Sequence, residues 1–380
     1  MRIADHVIAG SSLRTNQAGK TLLILIPALI LPFVVLVQRD FNPAERDFAV
    51  LYVAGQTVLS APQNLFDVKS HTARTAALAA HYGASLTGSV TPWLYPAVSA
   101  WLYALLTTLP FVAAFWMMTA VNLGALTCAS HVMASFQEPQ NCRFLGLCML
   151  ATPAITGTMI HGQTAIFTLL LITLAIYEES DSRCGLWIGL LALKPLFVLQ
   201  MMGWLALKRK WGALGIAAGI SLALAVISVM TTGVSGFLAH ISLLRSVSNH
   251  SFDAAEIVSQ PTLGGLSMLL GIGWLGWAAM AVPVIVVVAA SSRNPDFDTI
   301  ALLGGILIAP YMHKTEVGMI MLLVVAVMIS RGWGKMAPVG LILAAGWATS
   351  ISVIGSVVML FCGFLYVVLR PSLRREIAQA

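Results

Sequence analysis

Lys194 stands alone in the apolar stretch GLLALKPLFVL, and the proline after it breaks any helix that would carry it through. A lysine at membrane depth is expensive and usually lines a cavity or a pathway, and its ammonium favours a ligand carrying negative charge. The plain alternative is a lysine snorkelling to the interface. Three other turns carry groups of the same kind: Asp47 in ERDFAVLYVAGQ, the run His161-Gly162-Gln163, and His313-Lys314 followed by Glu316. Each alone could be an ordinary loop or a solvated acid. Together, a carboxylate, imidazoles, an amide and two ammonium groups suit phosphate and sugar hydroxyls. His71, His81 and His131 carry no special expectation.

The elements that must position these groups are membrane helices. The 380 residues are 58% hydrophobic and only 9% charged, with a mean hydropathy of +0.88; soluble domains carry about 25% charged residues. Charge-free runs recur at Thr21–Gln38, Phe144–Tyr177, Trp211–Leu244, Thr299–Tyr311 and Met336–Leu369. A helix needs about 20 apolar residues to span a bilayer, so the expectation is a single all-α polytopic membrane domain over residues 1–380. The first span lacks a small-residue cleavage site and reads as an anchor. The five cysteines show no metal-binding spacing, and no P-loop, dinucleotide fingerprint or nucleophile elbow is present.

With the N-terminus cytoplasmic, 14 of the 21 basic residues fall in cytoplasmic segments, and positive-inside topology accounts for the net charge of +6. Parity then constrains the path. Residues 38–93 form a first extracytoplasmic loop, helical but too polar to span. Tyr95–Leu109, bracketed by Pro96 and Pro110, becomes a half-inserted helix. The segment between Glu178–Cys184 and Lys208–Lys210 goes in and returns, with Lys194-Pro195 at its apex. The count is about 11 to 13 transmembrane or half-inserted helices. All the unusual polar residues land on the outer side.

The order of short motifs resembles a known family. DFxxxYxAG (Asp47–Gly55) is followed by NLFD (Asn64–Asp67), YPAVSAWLYALLTTLP (Tyr95–Pro110), HGQTAIFTLLL, GLLALKPLFVL with RKW behind it, SQPTLGGL and PYMHKTEV. This is similar to the GT-C membrane glycosyltransferases, specifically glycosyltransferase family 87, whose best-known members are polyprenyl-phosphate-mannose-dependent α-mannosyltransferases. The family's second proline after Tyr95-Pro96 is Ala97 in this chain, its NQS stretch reads Ser259-Gln260-Pro261, and its run before the histidine reads Pro310-Tyr311-Met312.

The resemblance implies transfer of a sugar, mannose by family default, from a polyprenyl phosphate to a hydroxyl of a glycolipid or glycan. The site would face the exterior of a bacterial inner membrane. It makes Asp47 the general base, and Lys194, His313 and Lys314 the groups that meet the leaving phosphate. Tyr52, Tyr95, His161, Gln163 and Gln260 become substrate contacts, and no metal or cofactor is expected. The half-inserted helix and the amphipathic segment Asn64–Tyr82 would wall the cavity on its lipid side. Two other classes stay open. A polymerase or ligase would use a diphosphate-linked glycan and a large arginine-rich late loop; in this chain the large outer loop is the first. A transporter would show internal repeats and polar groups near the bilayer midplane, and neither is found.

Overall fold

The computed structural model describes residues 13–38, 42–84, 92–150, 152–195, 197–248, 260, 262–309, 312, 314–331 and 357–369. Among them there are helices and turns and no strand. Three helices are long and apolar enough to cross a membrane: α5 (Phe111–Ser135), most of α11 (Trp211–Ser248) and α13 (Gly273–Ala290). The pair α6 (Pro139–Leu150) and α7 (Pro153–His161), bent by 49° at a break, is together long and apolar enough for a broken span or a re-entrant loop. Shorter apolar helices fill the spaces between: α4 (Ala97–Leu106), α8 (Ala165–Tyr177), α10 (Val198–Leu207), α14 (Phe297–Ile308), α15 (Lys314–Ser330) and α16 (Val357–Leu369). The chain is an all-α polytopic membrane protein.

Ion pairs reveal how two of the short-helix pairs are folded. Helix α9 (Asp181–Leu190) ends in a 3-10 turn, Leu191–Leu193, after which Lys194-Pro195 reverses the chain into α10. Lys210 Nζ then lies 3.6 Å from Asp181 Oδ1, so both feet of this hairpin are at one level. The expected return at Lys194-Pro195 is therefore present. From foot to apex, α9 and its 3-10 turn rise about 20 Å at ~1.5 and ~2.0 Å per residue, short of the ~30 Å bilayer core. A second hairpin joins α14 to α15, and Arg331 at its far end bonds Asp298 at its start. The two hairpins are tied at the feet: Asp298 Oδ1 also meets Lys208 Nζ at 2.5 Å and accepts from Trp204 Nε1 at 2.8 Å.

On the side away from these basic feet lies a smaller layer with its own apolar core. It holds α2 (Asp47–Ser60), α3 (Val68–His81), α4 and the start of α5. Helix α2 and α4 pack so closely that a Cβ on Gly55 would sit 2.6 Å from the Tyr103 backbone. Helix α11 breaks at Gly233, where φ 73° and ψ 174° are open to glycine alone. Its first leg, 211–232, is about 33 Å long at ~1.5 Å per residue and fills the bilayer by itself. Its second leg leans over the small layer, with His240 stacked on Phe66 at 4.3 Å and Leu243 in the core. The expected half-inserted helix is α4, ten residues long, with Leu102 and Leu105 exposed on one face and Ser99 and Tyr103 buried on the other.

Helix α3 starts at Asp67, whose side chain accepts the Lys69 and Ser70 N–H groups, and Arg74 bonds Ser60 Oγ at 3.2 Å on α2. His71 is buried between them, and neither ring nitrogen has a hydrogen-bond partner among the described residues. Burial, and secondarily the Arg74 charge, lowers its pKa from 6.5 to about 4. A histidine freed from this site protonates below pH 6.5, whereas the docked one does not until about pH 4. Docking of α3 is therefore constant above pH 6.5 and loses on the order of 3 kcal/mol as pH falls from 6.5 to 4. Protection of the α3 amides, referred to the intrinsic exchange rate at each pH, should fall across that window, and His71→Phe should remove the fall; equal protection at pH 7 and 4.5 in the parent would contradict the assignment.

Candidate active site

The four polar turns picked out in the sequence meet at the apexes of the hairpins, Asp47 being brought in by the first of the three turns described next. The first is the α7–α8 turn. Gly162 closes α7 in the left-handed conformation, φ +64°, and a Cβ there would lie 2.7 Å from Phe48 Cβ. That close approach brings the turn against the start of α2, where Asp47 is the first helical residue. Gln163 Nε2 donates to Asp47 Oδ2, and His161 Nδ1 stands 3.9 Å from the same oxygen. Asp47 and His161 each keep about 40% of their side-chain surface exposed, so both are accessible from outside.

The second turn is the Lys194 apex. Its ammonium pairs with Glu316 at the start of α15 and donates to Thr164 Oγ1 at 3.3 Å. It also sits 5.5 Å from the centre of the Tyr95 ring, a cation–π distance. Tyr95 in turn packs edge-on against Trp93. The Lys194 and Glu316 side chains are 15% and 1% exposed. A buried pair of this kind replaces the hydration both charges lose. The α15 start is the third turn, and it touches both of the others: Thr315 Oγ1 donates to Gln163 Oε1 at 2.7 Å, and Glu316 holds Lys194.

Below Lys194 opens a cavity of about 420 Å³. Leu102, Leu105, Met118, Val121, Phe167 and Leu171 make its wall oily, and Tyr95, Thr164 and Lys194 gather polar atoms at one end. Leu102 and Leu105 on α4 are both exposed and wall-forming, so the cavity borders the surface that faces lipid. Its volume is in the range of small-molecule sites.

Not every residue singled out in the sequence joins this group. Tyr52 is buried among Phe48 and Phe111, and its hydroxyl donates to Leu109 O at 2.8 Å, so it secures the small layer. Gln260 is buried, its amide oxygen accepting from Met312 N at 3.1 Å, and so shapes the strip leading to α15. Gln163 has both ends of its amide taken by Asp47 and Thr315. His313 lies outside the described residues; Lys314 is the first residue of α15. Thr164 and Thr315 carry no expectation of their own in the sequence, and Glu316 enters it only as the acid after His313-Lys314. Their signal is adjacency alone: each stands next to, or two residues from, a residue already marked.

Fold and site together define a polytopic helical membrane protein whose polar groups gather at one end of an oily cavity. The model of glycosyltransferase family 87 matches residues 93–330, more than half of the chain, and the chain belongs to that family. It is a membrane glycosyltransferase. The matched region contains Tyr95, His161, Gln163, Lys194 and Gln260, while Asp47 precedes it. No curated protein and no solved structure matches the chain.

Proposed function

We propose that the protein transfers a sugar from a polyprenyl monophosphate to a hydroxyl of a glycolipid or glycan, on the face opposite its basic feet. The observation that carries this is one lysine, Lys194, at the polar end of an apolar cavity, one turn away from an accessible carboxylate. The prenyl chain lies in the cavity and its phosphate beside Lys194. As the glycosidic C–O bond breaks, the phosphate gains charge, and a preorganised ammonium lowers that barrier. Asp47 takes the proton of the attacking hydroxyl, with His161 close enough to contact the sugar or acceptor. Mannose is the preferred sugar on the resemblance, and no metal or cofactor has a part. On this reading the basic residues at the feet mark the cytoplasmic face, and the site faces the exterior of a bacterial inner membrane.

The test uses purified protein in liposomes with a panel of radiolabelled polyprenyl-phosphate sugars, nucleotide sugars and a crude lipid extract as acceptor. Transfer is expected from a monophosphate donor and from no nucleotide sugar. Val121→Trp, which fills the cavity from its exposed side, should raise the donor KM about tenfold, the value of roughly 1.4 kcal/mol of lost contact, with kcat little changed. Turnover of nucleotide sugars at the same rate, with Val121→Trp silent, would refute the donor assignment.

A further inference from the structure

Gln163 was expected to touch substrate, yet each end of its amide is engaged within the protein, Nε2 by Asp47 and Oε1 by Thr315. We propose that Gln163 and Thr315 are positioning residues that hold the Asp47 carboxylate by Oδ2 and leave Oδ1 as the basic atom; this rests on reading Asp47 as the base. The hydrogen-bond directions follow from chemistry. An ionised carboxylate only accepts, so the amide nitrogen of Gln163 must face it. The amide oxygen then faces the other way and needs a donor, which is the Thr315 hydroxyl at 2.7 Å. A threonine hydroxyl carries a single proton, and this bond uses it.

The relay is anchored at its centre as well as at its ends. Gln163 N donates to Thr158 O at 2.9 Å, and Gln163 O accepts from Asn122 Nδ2 at 3.0 Å. Asn122 is wholly buried on α5. Four separate parts of the chain, α2, α5, the α7–α8 turn and α15, thus fix one carboxylate oxygen. Such anchoring matters for a base that is itself 40% exposed: a proton must be met at about 2.6–3.2 Å, and misplacement by about 1 Å can cost on the order of 10²-fold in rate. The neighbouring residues Thr164 and Glu316 hold Lys194. Base and phosphate-binding cation are therefore held by neighbouring residues of the same two dipeptides, Gln163-Thr164 and Thr315-Glu316, through hydrogen bonds and an ion pair.

The experiment compares Thr315→Val, which removes the donor at nearly constant shape, with Thr315→Ser, which keeps it, and with Gln163→Ala. In liposomes with polyprenyl-phosphate mannose and the lipid extract, Thr315→Val and Gln163→Ala should lower kcat about tenfold at a KM within about twofold of the parent, and Thr315→Ser should match the parent. An unchanged kcat in Thr315→Val, or a raised KM at unchanged kcat, overturns the proposal; the second result would make the pair substrate contacts. Asp47→Asn separates the two ideas: full transfer in that variant removes the base. An inactive Asp47→Asn beside a Thr315→Val at the parent's kcat keeps the base and removes the relay.

Discussion

Asp47→Asn is expected to reduce transfer by about 10²–10⁴-fold, the range for a positioned general base, while leaving the fold and the donor KM unchanged. The asparagine is the right shape for this comparison. Its carbonyl oxygen can accept from Gln163 Nε2 as the carboxylate does, so α2 and the α7–α8 turn stay locked. Only the ability to take a proton is lost. The KM should hold because the polar end of the cavity is built by Tyr95, Thr164 and Lys194 and not by Asp47. Glu45→Gln is the contrast: Glu45 is exposed on the 3-10 turn before α2, and its loss should change the rate less than about threefold, within the scatter of exposed substitutions. Initial rates against donor and acceptor concentration decide the matter. A fully active Asp47→Asn would take the base away from Asp47 and turn attention to His161, 3.9 Å away.

Much of this architecture could be read from one sequence because lipid imposes simple rules. A lone lysine before a proline, with the charged segments Glu178–Cys184 and Lys208–Lys210 on its flanks, leaves few paths other than a hairpin, and the Lys210–Asp181 contact closes it as expected. Pro96 and Pro110 mark off a helix too short to cross, and α4 is that helix. What the chain could not declare was which polar groups satisfy each other. Whether Lys194 waits alone or is matched by Glu316 depends on α15 arriving beside the α9–α10 apex, a tertiary fact with no local signature. The same holds for Asp298, an acid at the edge of a charge-free run that binds Lys208 and Arg331 at the feet. Tyr52 misled in the opposite way. In a motif next to a presumed base, an aromatic hydroxyl looks like a sugar contact, but its helical phase points it to the Leu109 carbonyl.

The second large effect concerns that Lys194–Glu316 pair, and it separates stability from catalysis. Lys194→Met should destabilise the protein by about 3–5 kcal/mol, the cost of leaving a buried carboxylate without its ammonium. Glu316 is 1% exposed and cannot turn to water instead. The variant will also be inactive, which by itself says nothing about chemistry. Adding Glu316→Gln removes the stranded charge, and the double variant should regain most of the lost stability, since replacing a whole buried pair is often near neutral. It should remain inactive, because no ammonium is left at the polar end of the cavity to meet the leaving phosphate. Thermal unfolding in detergent measures the first quantity and donor turnover the second. If Lys194→Met unfolds at the parent's temperature, the pair is not the buried lock described. If the double variant turns over at the parent's rate, Lys194 holds the two hairpin apexes together and the phosphate is met by another group.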